Sequence, residues 1–236
     1  QVVGPGSQND VSVYRDVLVL STDSSRSNNS CTNTPQPATE KSSWEGLKVF
    51  DISDPTNPEY IAAVETPCGS HTHTLAPSKN SKNLWVYVSS YFPSATFPDC
   101  QPPHDLISVV KIGMDKPETA KLIDTPVLFP DGGNPAGNYS RETSGCHDIT
   151  AYPAKGLAVA ACRGDGLLLS IADPLAAEPL AQQEPTLDVA KRRLRSVVTR
   201  PVRSRSSSAP SPRAWMHPCR SPSLHRPNRQ GRPPGG

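Results

Sequence analysis

Several features that would assign a chain directly to a class are missing from this sequence. No apolar run in its 236 residues approaches the roughly 18 residues of a membrane-spanning helix, so we expect no membrane span. The sequence also has no C-x-x-C pair, no Gly-rich phosphate loop and no Gly-x-Ser-x-Gly turn. These absences argue against a zinc ribbon, a nucleotide-phosphate site and a serine hydrolase of that type.

Acidic side chains are absent from residues 191–236. This segment carries 12 of the 24 Lys and Arg residues and none of the 22 Asp and Glu residues, so residues 1–190 are strongly acidic. We therefore treat residues 185–236 as a separate basic tail rich in Arg, Ser and Pro. Two interpretations of it remain open: a disordered tail that would bind nucleic acid electrostatically, or an out-of-frame translation of a GC-rich gene.

Strand-like segments recur three times before this tail. One part of the repeat reads GLKVFDISDPTNPEYIAAVE (46–65), LISVVKIGMDKPETAKLID (106–124) and GLLLSIADPLAAEPLAQQ (166–183). Another strand pair precedes each of these segments, at 9–21, 72–90 and 147–162. The runs are rich in β-branched residues and lack a helical period of 3.6, which favours strands.

Three repeats of four short antiparallel strands are typical of β-propeller blades. We predict an all-β fold, a partial β-propeller over residues 1–184, followed by a disordered tail over 185–236. The predicted blades cover about residues 6–66, 69–124 and 145–184. Because propellers usually close with about four to eight blades, we expect the chain to be a fragment.

Long Pro- and Gly-containing segments interrupt the repeats. The predicted loops are residues 22–45, 91–105 and 125–146. Insertions of this kind usually gather on one side of a repeat fold, which we call the loop face. A protein or small-molecule ligand would bind there.

The first repeat resembles the repeat of the LVIVD-repeat β-propeller family. Its third strand is followed by Asp54-Pro55-Thr56-Asn57-Pro58, as in that family, while Lys111 and Ser170 replace the motif position that Asp51 holds. The resemblance covers about residues 5–184. It implies a secreted or cell-surface bacterial propeller, in a family that is mostly without assigned chemistry.

The cysteines follow the repeats. Cys68 and Cys146 each precede a first strand, whereas Cys100 and Cys162 follow or end a second strand. This recurrence predicts the disulfides Cys68–Cys100 and Cys146–Cys162, with Cys31 left unpaired. Scattered cysteines in a loop-rich chain favour an oxidising compartment, so we expect a secreted or cell-surface protein.

Polar side chains occupy equivalent places at the starts of the first strands: Asp10, His71, His73, His147 and Asp148. In propellers the first strand lines the central channel, so these groups would ring one mouth of it. Imidazole and carboxylate groups suit a divalent metal ion. The alternative is that they hydrogen-bond neighbouring strand ends, as buried polar groups must.

The adjacent residues Cys146, His147 and Asp148 do not predict a catalytic triad, because successive strand residues point to opposite faces. We therefore predict no catalytic residue and no resident cofactor. The favoured function is a binding or scaffold module. The alternative is a metal-dependent oxidase or hydrolase with its site at the channel mouth, and nucleic-acid binding would require a genuine tail.

Overall fold

The computed structural model describes residues 4–90, 92–130, 145–174 and 177–183 of the chain. The tail predicted over 185–236 lies outside the described residues. In the described part, strands account for all the regular structure except one 3-10 turn, Pro153–Lys155. No helix there is long and apolar enough to span a membrane.

Within the described residues, twelve strands form three separate four-stranded sheets. Blade one contains β1 (Val11–Tyr14), β2 (Val17–Arg26), β3 (Trp44–Asp51) and β4 (Glu59–Glu65). Blade two contains β5 (Thr72–Pro77), β6 (Asn83–Ser89), β7 (Ser108–Gly113) and β8 (Lys116–Asp124). Blade three contains β9 (Asp148–Tyr152), β10 (Leu157–Cys162), β11 (Asp165–Ser170) and β12 (Glu178–Gln183). Neighbouring strands are antiparallel and follow chain order, which confirms the predicted all-β fold of three four-stranded blades.

The sheets lie side by side, with β5 in contact with both β1 and β9. All three of these first strands begin on the loop face. The blade boundaries 6–66, 69–124 and 145–184 stay predictions, since the structure gives strand bounds rather than domain bounds.

Local turn chemistry explains where the strands end. The Asp54 carboxylate accepts hydrogen bonds from the backbone N–H and the hydroxyl of Thr56, at 2.9 and 2.6 Å. The backbone N–H of Asn57 bonds the carbonyl of Asp54 at 3.0 Å. This is the turn that the Asp-Pro and Asn-Pro breaks predict between β3 and β4.

One predicted loop is shorter than the sequence suggests. Pairing between β2 and β3 continues through Thr22 and Gly46 and, after a register shift, to Arg26 and Trp44, so the loop covers residues 27–43. Gly46 has φ +148°, and a Cβ there would lie 2.1 Å from the carbonyl oxygen of Val64. Only glycine lets β3 approach β4 this closely.

Apolar side chains fill two seams between the blades. The seam between blades one and two buries Val17, Val19, Leu47, Val49, Val64, Leu84, Val86, Val88, Val110 and Ile112. The seam between blades two and three buries Tyr87, Ile107, Val109, Ile149, Ala158, Ala160, Leu167, Leu169 and Ile171. Alternation along each strand sends every second residue into a seam.

The other face of blade one is covered by the loop that joins β2 to β3. The ammonium of Lys48 donates to the carbonyl of Ser30 at 3.1 Å, and the hydroxyl of Tyr60 donates to the carbonyl of Asn29 at 2.7 Å. Lys48 is fully buried there. Burial, with the charge of Arg26, lowers the pKa of Lys48 to about 8.

Two disulfides, Cys68–Cys100 and Cys146–Cys162, join the same pairs that the repeat pattern predicts. The expectation that Cys31 is unpaired is wrong, because Cys31 is disulfide-bonded and no free cysteine occurs in the described part of the chain. Blade one has Gly4 and Pro5, and no cysteine, in the place before its first strand that Cys68 and Cys146 hold in the other blades. The partner of Cys31 lies outside the described residues.

The seam between blades one and two predicts a large difference between two truncations. Leu84→Ala should lower the free energy of unfolding by about 2–5 kcal/mol, because it opens a cavity in a fully buried position. Val11→Ala is the control, since Val11 is 54% exposed and its truncation should change stability by less than about 0.5 kcal/mol. Urea unfolding of the full chain measures both, and equal effects would contradict this packing.

Candidate functional site

The polar residues predicted at the channel mouth do lie at the starts of the three first strands. Asp10 directly precedes β1, His71 precedes β5, and His147 precedes β9. His73 lies within β5, and Asp148 is the first residue of β9. The side chains of Asp10, His71, His73 and His147 separate into two groups instead of forming one ring, and Asp148 belongs to neither.

The first group is built around His73, whose side chain has no exposed surface. Its Nδ1 lies 2.8 Å from the hydroxyl of Ser21, which in turn lies 2.7 Å from the hydroxyl of Ser70. The Asp10 carboxylate accepts the backbone N–H of His73 at 3.0 Å and stands 3.6 Å from Nδ1. These bonds connect blade one to the first strand of blade two.

Burial decides the charge of this histidine. It lowers the pKa of His73 to about 4, although the nearby Asp10 carboxylate acts in the opposite direction. The imidazole is therefore neutral at neutral pH. Its Nε2 is buried without a hydrogen-bond partner.

The second group joins blades one, two and three. Nδ1 of His71 lies 3.4 Å from Oδ2 of Asp23, and the His71 and His147 rings meet edge to face with centroids 4.7 Å apart. The hydroxyl of Thr72 donates to the carbonyl of His147 at 2.7 Å. Asp148 stays apart, since its exposed side chain accepts the N–H of the following residue, Ile149.

This separation bears on the predicted metal site. In the part of the chain that the structure describes, no three His, Cys, Asp or Glu side chains are arranged to hold a metal ion. The divalent metal predicted on His71, His73, His147, Asp148 and Asp10 therefore stays a prediction. Metal analysis of the purified chain, with His73→Ala for comparison, would test it.

A further buried histidine was not predicted. Nε2 of His104 lies 2.8 Å from the hydroxyl of Ser90, which also bonds the carbonyl of Pro67 at 3.1 Å. Burial lowers the pKa of His104 to about 4. His104 lies in a loop and not at a repeated strand position, so the repeat pattern carried no signal for it.

The loop face also carries a cleft with a strongly acidic lining, which we call the acidic cleft. It lies between blade one and the loop that follows β6, and its volume is about 180 Å³. Its carboxylates come from Asp23, Glu45, Glu65 and Asp99, and its apolar surface includes Phe92 and Phe97. The Cys68–Cys100 disulfide forms part of the wall.

The carboxylates of the acidic cleft differ in how well they are compensated. Asp99 pairs with Lys41, and Asp23 accepts the backbone N–H groups of Ser7 and Gln8. Burial, with the charge of Asp23, raises the pKa of Glu45, although a hydrogen bond from Ser25 opposes the shift.

The pKa of Glu65 is raised too, by burial and then by the charge of Asp99. In the acidic cleft, the charged forms of Glu45 and Glu65 are therefore destabilised relative to a carboxylate in water.

The alternation of residues along β2 indicates where two residues of this site lie. Val17, Val19, Ser21, Asp23 and Ser25 are spaced two apart, and the two valines face blade two. The same alternation sends Ser21 to His73 and Asp23 to the acidic cleft. Alternation along β2 could not place the residues of the loop after β6, nor Glu45 of β3 and Glu65 of β4.

No family model matches the chain, and no curated protein matches it. Among solved structures it is similar to a functionally unknown protein from Desulfotomaculum acetoxidans, at 18% identity and TM-score 0.42, covering 78% of this chain and 44% of that one.

Two lactonase structures also match. A periplasmic gluconolactonase of Pseudomonas aeruginosa shows 11% identity and TM-score 0.34, covering 76% of this chain and 58% of that one. A putative 6-phosphogluconolactonase of Bacteroides uniformis shows 11% identity and TM-score 0.31, covering 75% and 56%. The chain spans about half the length of the solved structures that it matches. At these scores the likeness supports no functional assignment.

The two buried histidines predict a loss of stability in mild acid. Their folded-state pKa of about 4 lies below the ordinary value of 6.5, so the unfolded chain binds more protons between these values. The contribution of these histidines to the free energy of unfolding should therefore be fully present above pH 6.5. It should fall towards pH 4, by up to about 3 kcal/mol per histidine.

Urea unfolding at pH 7 and pH 4.5 measures this loss. His73→Gln and His104→Gln should each remove part of the dependence, and the double variant should remove more than either. A wild-type dependence that survives unchanged in the double variant would contradict these assignments.

Proposed function

We propose that this chain is part of a secreted or cell-surface β-propeller that works as a binding module, and that the acidic cleft receives a cationic group of its partner. The observation that carries the proposal is the clustering of four carboxylates in one cleft of the loop face. Among the lining residues that the structure describes there is no lysine or arginine, and the cation that reaches a lining carboxylate from outside is Lys41, which pairs with Asp99.

The electrostatics of the cleft favour a cation. Carboxylates that crowd one another and lose water are stabilised when a positive charge comes within hydrogen-bond distance. The raised pKa values of Glu45 and Glu65 indicate that this charge is incompletely balanced in the free chain. A guanidinium or ammonium group would supply it, with charge-assisted hydrogen bonds.

The size of the cleft limits the ligand. A volume of about 180 Å³ is below the roughly 300–1,000 Å³ of sites that enclose a whole small molecule. It suits one cationic head group, such as an arginine side chain of a protein partner. Phe97 would pack against the apolar stem of that side chain, whereas the ring of Phe92 already has the guanidinium of Arg163 4.9 Å from its centre.

Two disulfides in the described part of the chain support an oxidising location. A secreted or cell-surface protein meets that condition. The metal-dependent enzyme has weaker support, because it rests on the unpartnered Nε2 of His73 alone. The nucleic-acid alternative depends on the tail, which lies outside the described residues.

The binding prediction uses two probes of nearly equal size and different charge. N-acetylarginine amide should bind the full-length chain, whereas N-acetylcitrulline amide, its neutral counterpart, should bind roughly tenfold more weakly because it lacks the charge-assisted bonds. Isothermal titration at low ionic strength measures both affinities. Added salt should lower the affinity for N-acetylarginine amide more than the affinity for N-acetylcitrulline amide.

Matched variants locate the site. Glu45→Gln and Glu65→Gln should each lower the affinity for the cationic probe several-fold and leave the affinity for the neutral probe unchanged. Glu59→Gln is the control, since Glu59 is an exposed residue of β4 outside the cleft. Equal affinity for both probes, or an equal loss in the Glu59 variant, would refute the assignment of a cation site to this cleft.

A further inference from the structure

A second cleft, which we call the lower cleft, opens on the face opposite the loop face, between blades two and three. Its volume is about 470 Å³, within the roughly 300–1,000 Å³ typical of small-molecule sites. Blade two contributes the β5–β6 turn and the side chains of Trp85 and Tyr87. Blade three contributes the 3-10 turn Pro153–Lys155 and Ile171 with the residues that follow it.

The inner part of the lower cleft has an unmet hydrogen-bonding group. Tyr87 is fully buried, and its hydroxyl has no hydrogen-bond partner. Buried hydroxyl groups in folded proteins are nearly always bonded to protein or to water. The charge that acts on this phenol comes from Asp173, which directly follows the lining residue Ala172. Tyr87 lines the lower cleft from blade two and packs in the seam with blade three.

The protonation of Tyr87 defines what the hydroxyl can do. Burial, with the charge of Asp173, raises the pKa of Tyr87. The phenol thus keeps its proton and offers a donor. Because the Asp173 carboxylate would repel a second anion nearby, the complementary group is a neutral oxygen such as an ether or carbonyl.

The rim of the lower cleft is basic, although residues 1–190 as a whole are acidic. Lys79 from blade two and Lys155 from blade three line the cleft, and both are exposed. The ammonium of Lys111 lies 5.8 Å from the centre of the Trp85 ring. Two cations from different blades at one rim favour an anionic group there.

We propose that the lower cleft binds a small organic carboxylate with an apolar ring. The carboxylate would meet Lys79 and Lys155, the ring would pack against Trp85 and Ile171, and a neutral oxygen at the far end would accept the Tyr87 hydroxyl. This site differs in face, seam and charge from the acidic cleft, so it does not depend on the proposed cation binding.

The test uses 4-methoxyphenylacetate as the probe and 4-methoxyphenylacetamide as its neutral counterpart. Saturation-transfer NMR with the full-length chain should give a dissociation constant below about 10 mM for the acid and an at least fivefold weaker one for the amide. Replacing both rim lysines, Lys79→Gln with Lys155→Gln, should abolish that preference. Lys116→Gln, at an exposed lysine outside the cleft, should preserve it.

Tyr87→Phe tests the inner end of the site and keeps the shape of the side chain. It should weaken the binding of 4-methoxyphenylacetate by at least threefold. The affinity for phenylacetate, which lacks the ether oxygen, should stay unchanged. Circular dichroism and the urea midpoint verify that the Tyr87→Phe variant is folded. If it is not folded, Trp85→Ala replaces it. We expect Trp85→Ala to abolish binding of both acids.

The proposal is overturned if neither acid binds below about 10 mM, if acid and amide bind equally, or if the two-lysine variant keeps the preference. Failure here would leave the arginine-probe experiment unaffected, because the two sites share no lining residue.

Discussion

Coverage of the blade faces is the constraint on which the rest of this structure depends. A four-stranded antiparallel sheet has two faces, and the central strands of each blade here carry apolar residues on both. Blade two buries both faces, against blade one and against blade three. The two clefts lie where these seams open at their ends: the acidic cleft on the loop face of the first seam, and the lower cleft at the opposite end of the second. Binding surfaces thus arise where blade packing stops.

Polar groups buried in this packing carry a free-energy penalty, and hydrogen bonds compensate for part of it, although Nε2 of His73 and the hydroxyl of Tyr87 have no hydrogen-bond partner. The imidazole of His73 is neutral and bonded to Ser21, so the polar start of β5 connects two blades without a buried charge. Lys48 carries a larger penalty, because its side chain is fully buried under the loop 27–43 and this burial, with the charge of Arg26, lowers its pKa. One carbonyl bond and the face of Trp44, whose centre is 5.4 Å away, hold it there.

Periodicity and turn chemistry made the fold predictable from the sequence. The alternating β-branched runs and the Asp54-Pro55 break gave the twelve strands, and the recurrence of cysteines gave both described pairs, Cys68–Cys100 and Cys146–Cys162. The site was less predictable, since its groups meet across blades and loops. A repeat alignment places His71 and His147 at equivalent positions, but only the packing shows that their rings touch while His73 turns to Ser21. Glu45 lies at the start of β3 and Glu65 at the end of β4, and their closeness depends on how β3 pairs with β4.

The claim that the acidic cleft is a cation site can be measured on its own carboxylates. Titration of the glutamate side-chain ¹³C resonances, with and without N-acetylarginine amide, follows the pKa of Glu45 and Glu65 directly. We expect the pKa values of Glu45 and Glu65 to lie above the ordinary glutamate value in the free chain and to fall when the probe is bound, while the pKa of Glu59 stays constant. Unchanged pKa values for Glu45 and Glu65 at saturating probe would contradict it.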